Sequence, residues 1–263
     1  MEHALFITKI SDLKYWTKKY IRLYYGNEFC QTLLPTKEDI SNIIEFIEQN
    51  NTKLTFVTPF VTNEGIDKLR KIFDILSKSV PSSEIVVNDF GVLNMLNKHF
   101  NFSNLILGRL LNKQKRGPRI LNFLDKISQE SLEHFRNNNT SASIYQDFLI
   151  KNKIQRIELD NLLHGILTKP SKLKKSLYIP YGYVTTTRYC LANGSKDKSK
   201  KEWITIFPCK KECQDFEATL THKSMPTELY LKGNTQFFKN DKLPDNLESL
   251  GVDRIVHQPV IPI

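Results

Sequence analysis

Residues 54–89 read LTFVTPFVTNEGIDKLRKIFDILSKSVPSSEIVVND. Leu54-Thr55-Phe56-Val57 is a short apolar run closed by Pro59, the pattern of a buried strand. Ile66, Leu69, Ile72, Phe73 and Leu76 then recur three and four residues apart, one face of a helix that Pro81 ends. Glu84–Asp89 is a second apolar run with a carboxylate at its C-terminal tip. Strand, helix and strand with near-continuous apolar strands calls for a parallel sheet covered by helices.

The same alternation extends outward from this unit. Upstream, Ala4–Lys9 and Ile21–Gly26 read as strands. Between them Ser11 and Asp12 can cap a helix with Leu13 and Trp16 on its apolar face. Thr36 with Asp39 forms a capping pattern ahead of Ile40, Ile43, Ile44 and Ile47. Downstream, Phe90–Asn97 is a short helix and Asn104–Gly108 a fifth strand. Arg109–Ile120 is basic and carries a Gly117-Pro118 turn. Leu121–His134 and Ile144–Ile150 read as helices, separated by an exposed loop at Asn137–Asn139. Ile154–Leu159 is a sixth strand, Leu177–Tyr183 a seventh and Arg254–His257 the last. Glu228–Phe238 alternates around Gly233-Asn234, the signal of a hairpin.

Eight strands with crossovers close into a (β/α)8 TIM-barrel-like α/β fold, distorted by its insertions. The expected organisation is one domain over 1–263. A helical, basic insertion covers 109–150 after strand five, and a cysteine loop with the hairpin covers 191–240. An open doubly wound sheet is the alternative, but no Gly-rich loop follows the first strand.

Composition sets the class. The chain has 263 residues, 40% hydrophobic and 11% aromatic, enough for a sizeable core. No 18-residue apolar run exists, so no membrane span is expected. The N-terminus does not read as a signal peptide, so a cytoplasmic protein is the simplest expectation. A net charge of +10 favours anionic partners, either RNA or a small carboxylate or phosphate. Lysine and arginine concentrate at Lys113–Arg119, Lys169–Lys175 and Lys196–Lys201.

Four cysteines are present, at 30, 190, 209 and 213. A Cys-x3-Cys pair with two distant cysteines can complete a four-thiolate shell around an iron–sulfur cluster. Structural zinc uses the same ligands but usually draws them from two close pairs, and Cys30 has no near partner. Disulfides and unligated thiols are the other readings. Barrel closure would bring Cys30, after strand two, and Cys190, after strand seven, to one face.

With those residues in place, the chain resembles the collagenase-like peptidase family (U thirty-two), and within it the oxygen-independent ubiquinone-hydroxylation branch. The likeness is carried by Tyr25-Gly26-Asn27-Glu28-Phe29-Cys30, by Asn88–Met95, by Ile157-Glu158-Leu159, and by Thr187-Arg188-Tyr189-Cys190 with Cys209-x3-Cys213. The resemblance implies one [4Fe–4S] cluster on Cys30, Cys190, Cys209 and Cys213. It implies hydroxylation of an aromatic ring, as in ubiquinone biosynthesis, or of an RNA base, without molecular oxygen. It also implies a sister subunit as possible partner. The Arg109–Arg119 segment has no counterpart in that branch.

Candidate catalytic residues are Asp89 at a strand tip, Glu158 on a buried strand and Arg188 beside a thiolate. Arg109, Tyr181 and Tyr183 are candidates to bind a small anionic or aromatic substrate. Asp89 is as readily a helix cap, Arg109 and Glu158 as readily ion-pair partners, the two tyrosines as readily packing. His257 reads as structural. A peptidase reading has little support, because no Gly-x-Ser-x-Gly or His-Glu-x-x-His occurs.

Overall fold

The computed structural model describes residues 1–193 and 209–263, so Lys196–Lys201 lies outside the described residues. Eight parallel strands close a barrel: β1 (Glu2–Ile7), β2 (Arg22–Gly26), β3 (Lys53–Val57), β4 (Glu84–Val87), β5 (Leu105–Leu107), β6 (Ile154–Asp160), β7 (Lys174–Ile179) and β12 (Val252–His257), with β12 hydrogen-bonded between β7 and β1. The α/β barrel expected from the alternation is therefore the fold. Between β7 and β12 the chain builds an antiparallel sheet from β8 (Tyr181–Thr186), β9 (Glu217–Leu220), β10 (Leu229–Lys232) and β11 (Thr235–Lys239).

The covering layer is uneven. Helices α1 (Lys37–Gln49), α2 (Asn63–Ser79) and α3 (Phe90–His99) lie between successive strands from β2 to β5, and α4 (Gln129–Arg136) and α5 (Ser143–Lys151) between β5 and β6. Thr36 and Asp39 form the expected capping box on α1. No α-helix connects β1 to β2 or β6 to β7 among the described residues. The helix expected after Ser11 is a 3-10 turn over Ile10–Tyr15, with no side-chain cap. Leu121–His134 divides into a 3-10 turn at Pro118–Phe123 and α4. The Asn137–Asn139 loop is not exposed as expected: Asn138 is buried and its side chain accepts from the Thr140 amide. Nor is the seventh strand continuous to Tyr183. It ends at Ile179, Pro180 supplies no N–H to the ladder, and Tyr181 and Tyr183 belong to the second sheet. None of the described helices is long and apolar enough to cross a membrane.

Inside the barrel, Ala4, Phe6, Tyr24, Val57, Val86, Ile106, Tyr178 and Val256 form an apolar belt. Strand β6 contributes nothing to it, because its inward positions are Arg156, Glu158 and Asp160, all buried. Below the belt, Arg254 donates to Glu84 at 2.7 Å and 3.0 Å and to the Tyr24 hydroxyl at 2.7 Å. Glu2 and Arg22 join the same layer. Arginine partners more than offset the burial that opposes charge on Glu2 and Glu84, so both carboxyls sit below the ordinary range.

Glu158 is the exception. Tyr24 donates to its Oε1 at 3.0 Å, but its Oε2 is buried without a partner. Burial outweighs the nearby Arg254 and Arg156 and pushes its pKa up to about 7. A carboxyl raised in the folded state contributes most stability below its unfolded pKa and loses it as pH climbs through the folded value. Stability should therefore fall by about 2–3 kcal/mol between about pH 4.5 and 7, since one pKa unit is about 1.4 kcal/mol. Urea unfolding at pH 5 and pH 8 checks this: Glu158→Gln is expected to remove that slope and match or exceed the wild type at pH 8.

Candidate functional site at the barrel mouth

Gly26 closes β2 with φ +135, and a Cβ there would stand 2.2 Å from the Val57 carbonyl oxygen. Only glycine fits that approach, and it turns the chain so that Asn27-Glu28-Phe29-Cys30 lies across the C-terminal mouth. The Asn27 side-chain oxygen accepts from the amides of Phe29 and Cys30 at 3.1 Å and 2.8 Å, fixing the loop.

The floor of the mouth is a charge cluster. Arg109, fully buried just past β5, donates to Glu28 at 2.6 Å and to Asp160 at 2.7 Å. It also donates to the Tyr181 carbonyl at 3.0 Å and lies 4.0 Å over the Tyr178 ring. Burial opposes its charge, yet the two carboxylates hold its pKa above the ordinary arginine value. Arg116 pairs with the other Asp160 oxygen, donates to the Arg109 carbonyl at 2.9 Å and stacks 4.1 Å over Tyr183. The Tyr183 hydroxyl donates to that same carbonyl at 3.0 Å. The segment read as a basic insertion thus begins as a folded-in part of the mouth.

Above this floor the cysteine segments meet. The Asn234 amide nitrogen, at the tip of the β10–β11 hairpin, donates to the carbonyls of Phe29 and Thr187 at 2.8 Å and 2.6 Å. One side chain thereby ties the Cys30 segment to the Cys190 segment. Gly233 precedes it with φ +61, and a Cβ there would meet the Cys213 Cβ at 3.3 Å. The Cys190 thiol hydrogen-bonds to Cys213, raising its own pKa and lowering that of Cys213; burial raises the Cys190 thiol further. Burial also raises the Cys30 thiol, with a contribution from the Cys213 charge. Three of the four cysteines therefore interact electrostatically. Cys209 is exposed. Among the described residues no group of three or more His, Cys, Asp or Glu side chains is drawn together closely enough to hold a metal ion.

Beside the cysteines a cleft of about 530 Å³ opens between the ends of β4 and β5 and the edge of β8. Phe60, Phe90 and Tyr183 give it aromatic walls, and Arg188, Lys113 and Arg116 give it positive charge. Arg188 is exposed, lies 5.2 Å over the Phe60 ring and makes no ion pair among the described residues. Burial, with Arg116 nearby, lowers the Lys113 pKa. Asp89 lines the cleft too, but its carboxylate caps α3, accepting from Gly91 and Val92 at 2.6 Å and 3.3 Å, and from Val61 at 3.3 Å.

The structure thus gathers Asp89, Arg188 and Tyr183 at one cleft and sets Arg109 in the floor beneath. Glu158 lies within the barrel, away from the mouth. Tyr181 supplies a backbone carbonyl to Arg109 while its side chain packs against the apolar cluster that includes Phe29, Tyr183 and Phe237. His257 stacks against His3, outside this site. Sequence reasoning passed over Glu28, Asp160, Arg116 and Asn234. Asp160, two residues beyond Glu158 on the same strand face, was the available signal.

No protein-family model matches the chain, and no curated protein matches it. Among solved structures, the U32 peptidase Mk0906 is similar with a TM-score of 0.47 and 10% identity, over 100% of this chain and 94% of that one. Human YKL-39, a pseudo-chitinase with retained chitooligosaccharide binding properties, is similar with a TM-score of 0.37 and 9% identity, over 97% of this chain and 91% of that one. No residue role passes from either protein to this chain at such values.

Replacing Arg109 by Met would leave Glu28 and Asp160 buried without their shared cation. The loss expected in chemical denaturation is about 3–5 kcal/mol. Arg109→Lys should fall between, since one ammonium cannot serve the fork that spans both carboxylates.

Proposed function

We propose that the protein holds a [4Fe–4S] cluster on Cys30, Cys190, Cys209 and Cys213 and acts as an oxygen-independent hydroxylase, or as one subunit of such an enzyme. The observation that carries this reading is the Asn234 side chain that ties the Cys30 segment to the Cys190 segment, with the Cys190 thiol hydrogen-bonded to Cys213. Four soft thiolates suit iron–sulfur ligation, and Cys209 stands only four residues before Cys213 in the chain. The likeness of Tyr25–Cys30, Thr187–Cys190 and Cys209-x3-Cys213 to the UbiV-like branch of the U32 family supports it. When bound, the cluster would supply one-electron redox chemistry at the mouth of the barrel.

The chain's own residues would do the binding and positioning. Phe60 and the exposed Phe90 offer ring surface to an aromatic substrate, with Tyr183 buried behind them under Arg116. Arg188 and Lys113 supply positive charge to an anionic group on the same substrate. Asp89 holds the α3 amides and orients the cleft wall. The Arg109–Glu28–Asp160 floor keeps the loops from spreading and closes the barrel below the cleft. RNA is the second substrate class that the net charge of +10 favours.

Anaerobic purification followed by iron and sulfide analysis tests the cluster. About four irons and four sulfides per chain, with a broad visible absorption band, is the expected result. Cys209→Ala, Cys30→Ser and Cys190→Ser should each lose that band and most of the iron. Stoichiometric zinc, or iron content unchanged in all three variants, would sink the iron–sulfur assignment.

A further inference from the structure

The second sheet ends at β8. Its strand order is β8-β11-β10-β9, and β8 pairs with β11 alone among the described residues. Every residue from Tyr183 to Arg188 lines the aromatic cleft along that edge. At the start of β8 the side turned from β11 is already in use. The Tyr181 N–H donates to Gln258 Oε1 at 3.2 Å, and its carbonyl accepts from Arg109 at 3.0 Å. Past its end Thr187 faces the hairpin instead, donating to the Asn234 carbonyl at 3.1 Å and accepting from the Asn234 amide at 2.6 Å. Backbone groups alternate sides along a strand, so Thr186 turns its N–H and carbonyl to the cleft. Val184 has no opposite residue on β11, and this extra residue reconciles the two ends.

Apart from that bulge the edge is unguarded. Proteins protect open edges with lysine, proline or a covering element, because unpaired N–H and carbonyl groups invite another strand. Tyr181–Thr186 contains no charged residue and no proline, and Val184, Thr185 and Thr186 are β-branched residues that favour strands. The sheet's other edge, β9, is four residues long and carries Glu217. Across the cleft, Phe60 and the exposed Phe90 offer ring surface, and the exposed Arg188 makes no ion pair among the described residues. Asp89, the acid in the lining, is committed to the amides of α3. The cleft thus joins an open strand edge to a positive charge.

We propose that the edge of β8 is the docking site for an extended, acidic segment of a partner polypeptide, which adds to the second sheet as one further strand. Main-chain hydrogen bonds to β8 hold the segment, and alternate side chains fix its identity. Its carboxylates meet Arg188 and Lys113, and an apolar side chain meets Phe60 and Phe90. Tyr183 to Thr187 spans about 17 Å at the rise of a strand, enough for about five residues of the segment. The inference goes beyond the redox reading and needs no cluster. Both use one cleft, so a ring-bearing substrate and the docked segment exclude each other.

Fluorescence anisotropy of the full chain with a labelled, capped heptapeptide, Glu-Val-Phe-Glu-Val-Phe-Glu, tests this, with iron content measured on each sample. Saturable binding in about the micromolar range is expected, in iron-free and iron-loaded samples alike. N-methylation of one alternate set of peptide amides should weaken binding about tenfold or more, while the other set tolerates it, because only one side of the segment pairs with β8. Thr186→Pro removes the donor that faces the cleft, spares the β11 ladder and should weaken binding to a similar degree. Arg188→Glu should weaken the same peptide and strengthen its counterpart with lysine in place of glutamate. The proposal is overturned if the heptapeptide fails to bind at about 1 mM. It is also overturned if neither N-methylated set loses affinity, or if a single-stranded oligouridylate of equal charge binds more tightly. Binding by iron-free protein sustains the docking site even where the hydroxylase reading fails.

Discussion

A buried guanidinium between two buried carboxylates governs the upper half of this molecule. Charge inside a protein must be paired and hydrogen-bonded, and Arg109 satisfies that demand by reaching for Glu28 after β2 and Asp160 at the tip of β6. Its Nη1 also donates to the carbonyl of Tyr181, the first residue of the second sheet. The mouth loops therefore cannot vary independently. Whatever moves the β2 exit moves the β6 tip and the entry to the sheet that carries Asn234.

The base of the barrel solves the same problem differently. There Arg254, Glu84, Glu2 and Arg22 form an ionic layer, and the apolar belt separates it from the mouth. Tyr24 and Glu158 interrupt the belt, one hydroxyl handing a hydrogen bond to one carboxyl. At the level of the belt, the barrel interior is polar where β6 presents Glu158 and apolar around the other strands.

Most of the barrel was legible because parallel strands buried on both faces write themselves as apolar runs, and Leu54–Val57 and Glu84–Asp89 did so plainly. What lay hidden was local. Pro180 ends a run whose hydropathy continues to Tyr183, so one apparent strand is two. The second sheet was visible only as its Gly233-Asn234 turn, since Glu217–Leu220 is short and half-polar. At the site, strand order pointed Cys30 and Cys190 to one face, but Cys190 reaches it through β8 and the Asn234 hairpin and not from the end of β7. The partners of Arg109 were hidden, because Glu28 and Asp160 are single residues whose meaning depends on which way a strand or loop faces. Glu158 drew attention as part of a motif, whereas the face it shares with Asp160 ends at the mouth only two residues later.

The order of the cysteines along the chain has a consequence for biogenesis. Cys30 emerges early, but Cys190, Cys213 and the Gly233-Asn234 hairpin that seats them belong to the last third of the polypeptide. A ligand that needs the whole thiol set can therefore be received only after the second sheet has been synthesised and has docked. Loading of such a ligand, if one is bound, would follow the docking of the second sheet.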